Sequence, residues 1–192
     1  MIATVQQKLA YEQSAATRLE SSLCLLSAFN RFGIPESFTD LGCGPGHLVQ
    51  IADALGSRSI GVDIALNKQF IRLPNRSKIY QDNLIDMKSP DPAEMVVCWG
   101  VAEHLPESDV ETLCDLIAKA AEGTLLFSAA APGQGGSGNI NEQPSQYWID
   151  LFITRGFVYV WPLTEALRGE WAILAPNAQW YGQNLLVFRK VS

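Results

Sequence analysis

Short apolar runs alternate with amphipathic stretches along most of the chain. From about residue 4 to 31, Ala10, Leu19, Leu23, Leu26 and Phe29 recur near helical spacing, and the pattern stops at Gly33 and Pro35. This predicts a lead-in helix within 1–35. "SFTDL" then reads as a short strand, "GCGPG" as a turn, and "HLVQIADAL" as a helix closed by Gly56. "SRSIGVDI", "SKIYQ", "EMVVCWG" and "GTLLFSAA" read as four further strands, with helical stretches expected near 64–72 and 106–122. "PSQYWIDLFITRGF" predicts another helix, with Pro144 at its start and Gly156 past its end. Two last strands, "FVYVWP" and "NLLVFRK", flank an aromatic-rich stretch over 163–183. Strands alternating with helices predict an α/β fold whose mostly parallel sheet is covered on both faces. With no repeat, linker or low-complexity tail, the 192 residues read as a single domain.

Charge narrows the partners. Fourteen basic against twenty acidic residues leave a net charge of −6, which repels nucleic acid and anionic membranes. The apolar patch near the N-terminus follows Lys8, Glu12, Arg18 and Glu20, the wrong order for a signal peptide, and no apolar run reaches the roughly 18 residues of a membrane span. Cys24, Cys43, Cys98 and Cys114 form no CxxC pair and the two histidines are scattered, so neither a zinc cluster nor a disulfide framework is expected. A cytoplasmic protein with small buried thiols is the expectation.

The densest chemistry lies in "TDLGCGPGH". A strand, a glycine turn and a helix aim backbone N–H groups at one ligand and let the main chain approach it closely. The nicotinamide version of this motif wants G-x-G-x-x-G; here Gly42, Gly44 and Gly46 follow G-x-G-x-G, and position 47 is His. Asp40 precedes the turn, where a carboxylate suits a cationic amine and repels a pyrophosphate. Asp63 ends the next strand, about 20 residues on, where an acid can take both ribose hydroxyls. A second glycine run, "GQGGSG" at 133–138, formally satisfies G-x-G-x-x-G, yet Asn139 to Gln143 separate it from the next helix. It reads as a polar loop at the carboxyl edge of the sheet, a candidate lid over 132–143.

With these residues in view, the sequence resembles the class I S-adenosylmethionine-dependent methyltransferases over about residues 36–190. "TDLGCGPG" is similar to the superfamily's first motif, "IGVDI" to its second, "YQDNL" to its third, and "VVCWGVAEHLP" to the segment at its fourth strand. The loop at 132–143 is similar to that of a small bacterial and phage-type subgroup. The resemblance implies a Rossmann-like fold of seven strands in the order 3-2-1-4-5-7-6, the last antiparallel, and S-adenosyl-L-methionine as cofactor. It implies that Gly42, Gly44 and Gly46 face the methionine portion, with Asp40 beneath its ammonium. Asp63, followed by Ile64, would bind the ribose; Asp82 would take the adenine amino group with Asn83 and Leu84 at its edge; Trp99 and Gly100 would stand on the sulfonium side.

Methyl transfer needs alignment above all, and a base only when the acceptor carries a proton to lose. His104 is the candidate base, with Glu103 beside it to orient the ring and raise its basicity; the pair can equally shape the loop. Gly100 stands where some relatives carry a metal-binding acid, so no metal is expected. The chain lacks the Asn-Pro-Pro-aromatic and Pro-Cys signatures of base-methylating enzymes, which again disfavours nucleic acid. Tyr147, Trp148, Trp161, Trp171, Trp180 and Tyr181 can wall an acceptor pocket or pack as core. The expectation is O-methylation of a small-molecule or glycan-type acceptor. The alternatives are a nicotinamide-dependent oxidoreductase and a non-catalytic binding module.

Overall fold

The computed structural model describes residues 5–64, 77–88 and 90–191, with side chains from residue 17 onward. Strands β1 (Ser37–Leu41), β2 (Arg58–Asp63), β3 (Lys78–Gln81), β4 (Ala93–Trp99), β5 (Ala121–Ser128), β6 (Phe157–Tyr159) and β7 (Leu186–Lys190) form one sheet. Its order is β3-β2-β1-β4-β5-β7-β6, with β7 antiparallel to both neighbours and the others parallel where they pair, as the resemblance implied. The helices are α1 (Val5–Phe32), α2 (His47–Ala54), α3 (Val110–Ala120), α4 (Ser145–Ile153), α5 (Trp161–Leu174) and α6 (Trp180–Asn184), with short 3₁₀ turns at Ala102–His104 and Glu107–Asp109. The helix expected near 64–72 falls almost wholly outside the described residues.

The central strands are apolar at nearly every position because both faces are covered, and the two-residue strand period sorts their side chains between two cores. Val96, Cys98, Leu125 and Phe127 join Leu113, Ile117 and Trp148 of α3 and α4 on one face. Met95, Val97, Trp99 and Leu126 join Leu25, Leu48 and Trp171 of α1, α2 and α5 on the other. Gly61 of β2 lets α2 lie close to the sheet: a Cβ there falls 2.8 Å from Val49 Cγ2 and 2.9 Å from Cys43 Sγ. Cys24, Cys43, Cys98 and Cys114 are free and buried. Among the described residues, no helix is long and apolar enough to cross a membrane.

The sequence pattern assigns no element to the aromatic-rich stretch over 163–183. That stretch is mostly helical, because Leu163, Leu167, Trp171 and Leu174 repeat at helical spacing and Pro162 sits in the first turn of α5. The strand read as "FVYVWP" therefore stops at Tyr159. The lead-in helix is tied to this C-terminal part. Glu20, buried in α1, accepts bonds from the Asn177 backbone N–H at 3.1 Å and from its Nδ2 at 2.6 Å. Arg31 and Ser27 of α1 bond Glu170 of α5.

Candidate active site

The carboxyl ends of β1, β2 and β4 bring the predicted chemistry to one edge of the sheet. After β1 the chain turns sharply enough that Gly42, Gly44 and Gly46 take φ of +84°, +50° and +76°, values that side-chain-bearing residues rarely adopt. The turn is fastened to β2: Gly42 and Cys43 donate to the Val62 carbonyl, at 2.8 and 3.0 Å, and Gly44 donates to Asp63 Oδ2 at 2.8 Å. The second motif's acid thus braces the first motif's glycines. Gly42 is also a contact point with the β4 end, since a Cβ there lies 2.1 Å from Val101 Cγ2.

Asp40, at 3 % exposure, is the electrostatic centre of this half. Burial, and then the charge of Asp63, push its carboxyl up to about 8. Its ionised form calls for a cation, and an ammonium placed beside it relieves both penalties. Ile64, 64 % exposed at the end of β2, offers an apolar face beside Asp63. These features fit S-adenosylmethionine: an acid for its ammonium, close-approach glycines for its backbone, a second acid and an apolar neighbour for its nucleoside.

The third-motif residues directly follow β3. Asp82 is exposed, its N–H donating to the Asp63 carbonyl at 3.1 Å and its Oδ1 accepting from Asn83 N–H at 2.8 Å. The Asn83 side chain is spent on its own turn, accepting from Ile85 N–H and donating to Asp86. Leu84 is 8 % exposed and packs in the core. Asp82 is therefore placed at the edge while Asn83 and Leu84 support it from behind. His47, which reads from sequence as a surface helix residue, is largely enclosed: Ser21 Oγ lies 2.8 Å from Nε2, and burial, then Arg18, lower its pKa to about 4.

At the end of β4, Trp99 and Gly100 open onto a cleft of about 750 Å³ that also includes Glu103, His104, Trp180 and Tyr181. Trp99 is at once core and cleft wall. It is 8 % exposed and meets Trp171 edge-on at 4.9 Å, yet it lines the cleft. Gly100 has φ +64°, and its N–H donates to the Ser128 carbonyl at 3.0 Å. His104 Nδ1 lies 3.0 Å from the Gly138 carbonyl oxygen. A carbonyl only accepts, so Nδ1 carries the proton and Nε2 of the neutral ring is left as acceptor.

Glu103 does not orient that ring, contrary to the expectation; Gly138 does. The Glu103 carboxyl is buried, which raises its pKa, and among the described residues Oε2 has no hydrogen-bond partner. Its backbone carbonyl accepts from Ile140 and Asn141, fastening the loop 132–143 to the end of β4. That loop has its own framework, the half-buried Glu142 accepting from Gly133 and Gly135 N–H and from Asn139 Nδ2. Of the six aromatics considered for an acceptor wall, Trp180 and Tyr181 line the cleft, whereas Trp148 and Trp171 are fully buried core and Trp161 is 61 % exposed elsewhere. Burial, then Asp40, push the Tyr181 phenol up to about 12, keeping it a protonated donor between the two halves of the site. Gln179 and Gln183 of the cleft carry no signal in the sequence, and Gln134, inside the glycine run at 133–138, meets them only through the loop and α6.

Comparison with known proteins gives the family and the fold. Residues 14–180 match the family model described as a methyltransferase domain. A search of curated protein sequences gave no significant match. Among solved structures, the chain is similar to magnesium protoporphyrin IX methyltransferase from Synechocystis PCC 6803 with bound S-adenosylhomocysteine, at 15 % identity and TM-score 0.63, covering 100 % of this chain and 89 % of that one. It is similar to the O-methyltransferase of a trans-AT polyketide synthase multienzyme of Brevibacillus brevis in complex with S-adenosylhomocysteine, at 20 % identity and TM-score 0.61, covering 97 % and 76 %. A third neighbour is the N,N-8-amino-8-demethyl-D-riboflavin dimethyltransferase of Streptomyces davawensis, at 20 % identity and TM-score 0.59, covering 82 % and 55 %. At these identities the likeness is one of fold. The family match over most of the chain, with the strand order and the Asp40, glycine-turn and Asp63 constellation, places this chain in the class I S-adenosylmethionine-dependent methyltransferases.

Proposed function

We propose that this methyltransferase O-methylates a small-molecule or glycan-type hydroxyl in the cleft beside Trp99, with His104 as general base. The observation that carries the reading is the 3.0 Å contact between His104 Nδ1 and the Gly138 carbonyl, which leaves Nε2 as a proton acceptor on a residue lining the cleft. Bound S-adenosylmethionine supplies an electrophilic methyl group on its sulfonium. Asp40 holds the ammonium, the glycine turn admits the methionine backbone, and Asp63 takes the ribose hydroxyls. Trp99 and Gly100 border the transfer point. His104 accepts the hydroxyl proton as the oxygen attacks, so the acceptor becomes nucleophilic without becoming a free alkoxide.

The neighbours support a small acceptor: one is an O-methyltransferase and another acts on a riboflavin analogue. The net charge of −6 argues against a nucleic-acid acceptor. The reading treats 1–192 as one catalytic domain and 132–143 as a lid closing over the acceptor, supported by the bonds from this loop to Glu103 and His104. Free buried thiols favour a cytoplasmic setting. The test is methyl transfer from labelled S-adenosylmethionine to hydroxyl probes by the wild type and His104→Ala. His104-dependent label on oxygen supports the reading, and label only on amines or thiols contradicts it.

A further inference from the structure

The acceptor cleft is walled by uncharged hydrogen-bonding groups. Among the described residues, no lysine or arginine lines it, so nothing there neutralises a phosphate or carboxylate. Its acid, Glu103, offers an anion no counter-charge. In place of charges stand the carboxamides of Gln134, Asn139, Gln179 and Gln183. Gln179 and Gln183 lie one helical turn apart, joined by a 2.9 Å backbone bond, so both project from one face, and neither side chain has a hydrogen-bond partner among the described residues. Gln134 is set more firmly. Its Oε1 accepts from buried Asn184 Nδ2 at 2.7 Å and from Ala131 N–H at 3.3 Å, which leaves its amide N–H₂ as donor.

An aromatic surface completes the wall. Trp180 is 40 % exposed and rests against Tyr181 at 5.8 Å between ring centres, an apolar plate beside the amides. Carboxamides carry a donor and an acceptor side by side, the arrangement adjacent hydroxyls present in return, while an indole covers the C–H face of a sugar ring. The cleft volume of about 750 Å³ lies in the usual range for a small-molecule site.

From this we infer that the acceptor is an uncharged, polyhydroxylated ring, a neutral saccharide, stacked on Trp180 and hydrogen-bonded by Gln134, Gln179 and Gln183, with the target hydroxyl presented to His104. This rests on the reading of the cleft as the site of hydroxyl methylation. Ligand-detected NMR tests it on the full chain saturated with S-adenosylhomocysteine. The probes are methyl glucoside, methyl rhamnoside, cellobiose, glucuronate, a hexose phosphate, catechol and a primary alkylamine.

Binding of at least one neutral sugar, weakened roughly tenfold by Trp180→Ala and by the pair Gln179→Ala/Gln183→Ala but not by Trp161→Ala outside the cleft, supports the proposal. Trp180 and the two glutamines are exposed, so these variants fold, and thermal melting checks it. Preferential binding of glucuronate or the hexose phosphate overturns it, as does binding of no sugar. Catechol binding with His104-dependent methyl transfer overturns the saccharide and leaves hydroxyl methylation standing. Absence of any methyl transfer to hydroxyls, alongside amine methylation, overturns both.

Discussion

Asp40, buried at the end of β1, and Asp63, at the end of the adjacent β2, repel one another across the glycine turn. The folded value of Asp40, about 8, stands above its ordinary 3.8. Between these two values the folded protein holds a proton that the unfolded chain releases, so this group's contribution to stability falls as pH rises from about 4 to about 8 and is level beyond. Cofactor ammonium favours the carboxylate, so affinity for S-adenosylhomocysteine rises over the upper part of that window with release of a proton. Calorimetry in two buffers of different ionisation heat measures it. Asp40→Asn is expected to remove the pH slope, raise the ligand-free Tm at pH 8 and weaken binding; an affinity independent of pH contradicts the assignment.

Asp63→Ala frees the Gly44 N–H that now donates to Asp63 Oδ2 and, with Asp63 in its proposed role, also removes the charge-assisted bonds to the ribose. The expected loss is about 1.5–3 kcal/mol in S-adenosylhomocysteine binding. Unchanged affinity by calorimetry shows that this acid braces the turn without touching the ligand.

Gly42→Ala is expected to cost roughly 2–5 kcal/mol, from left-handed backbone strain and from the clash with Val101. Adding Val101→Ala relieves the clash and leaves the strain, so a double-mutant cycle by denaturant unfolding is expected to show favourable coupling of about 1 kcal/mol or more. Additive losses place the cost in the backbone alone.

The legible and illegible parts of this molecule differ in the range of the signals behind them. The turn at 42–46, its flanking strand and helix, and the two acids are local patterns in which residue type and spacing carry the geometry. Strand order followed from the family that those patterns resemble. The aromatic stretch over 163–183 was harder, since Trp161, Trp171 and Trp180 look alike in sequence and are exposed, core and cleft wall in the structure. What separates them is helical phase along α5 and the packing of α6, and α6 is too short to show a period. The ring partner of His104 is likewise set by long-range packing. Glu103 is its neighbour in sequence, but Gly138, 34 positions away, supplies the oxygen.

Glu142 organises the loop 132–143, and its bond with Asn139, then those with Gly133 and Gly135, hold its carboxyl below the usual range. Glu142→Ala is expected to speed hydrogen exchange at Gly133 and Gly135 while leaving β1 and β2 unchanged. In the wild type, saturation with an acceptor is expected to slow exchange across the loop. Exchange that acceptor leaves untouched contradicts a lid.

Whether His104 is the base is decided by the single-turnover rate of methyl transfer to a hydroxyl acceptor in wild type and His104→Ala, read beside S-adenosylhomocysteine affinity. A base at this position makes the variant slower by roughly 10²- to 10⁴-fold, partly restored at raised pH, with cofactor affinity unchanged. A variant as fast as the wild type, or one in which rate, cofactor affinity and Tm fall together, contradicts it.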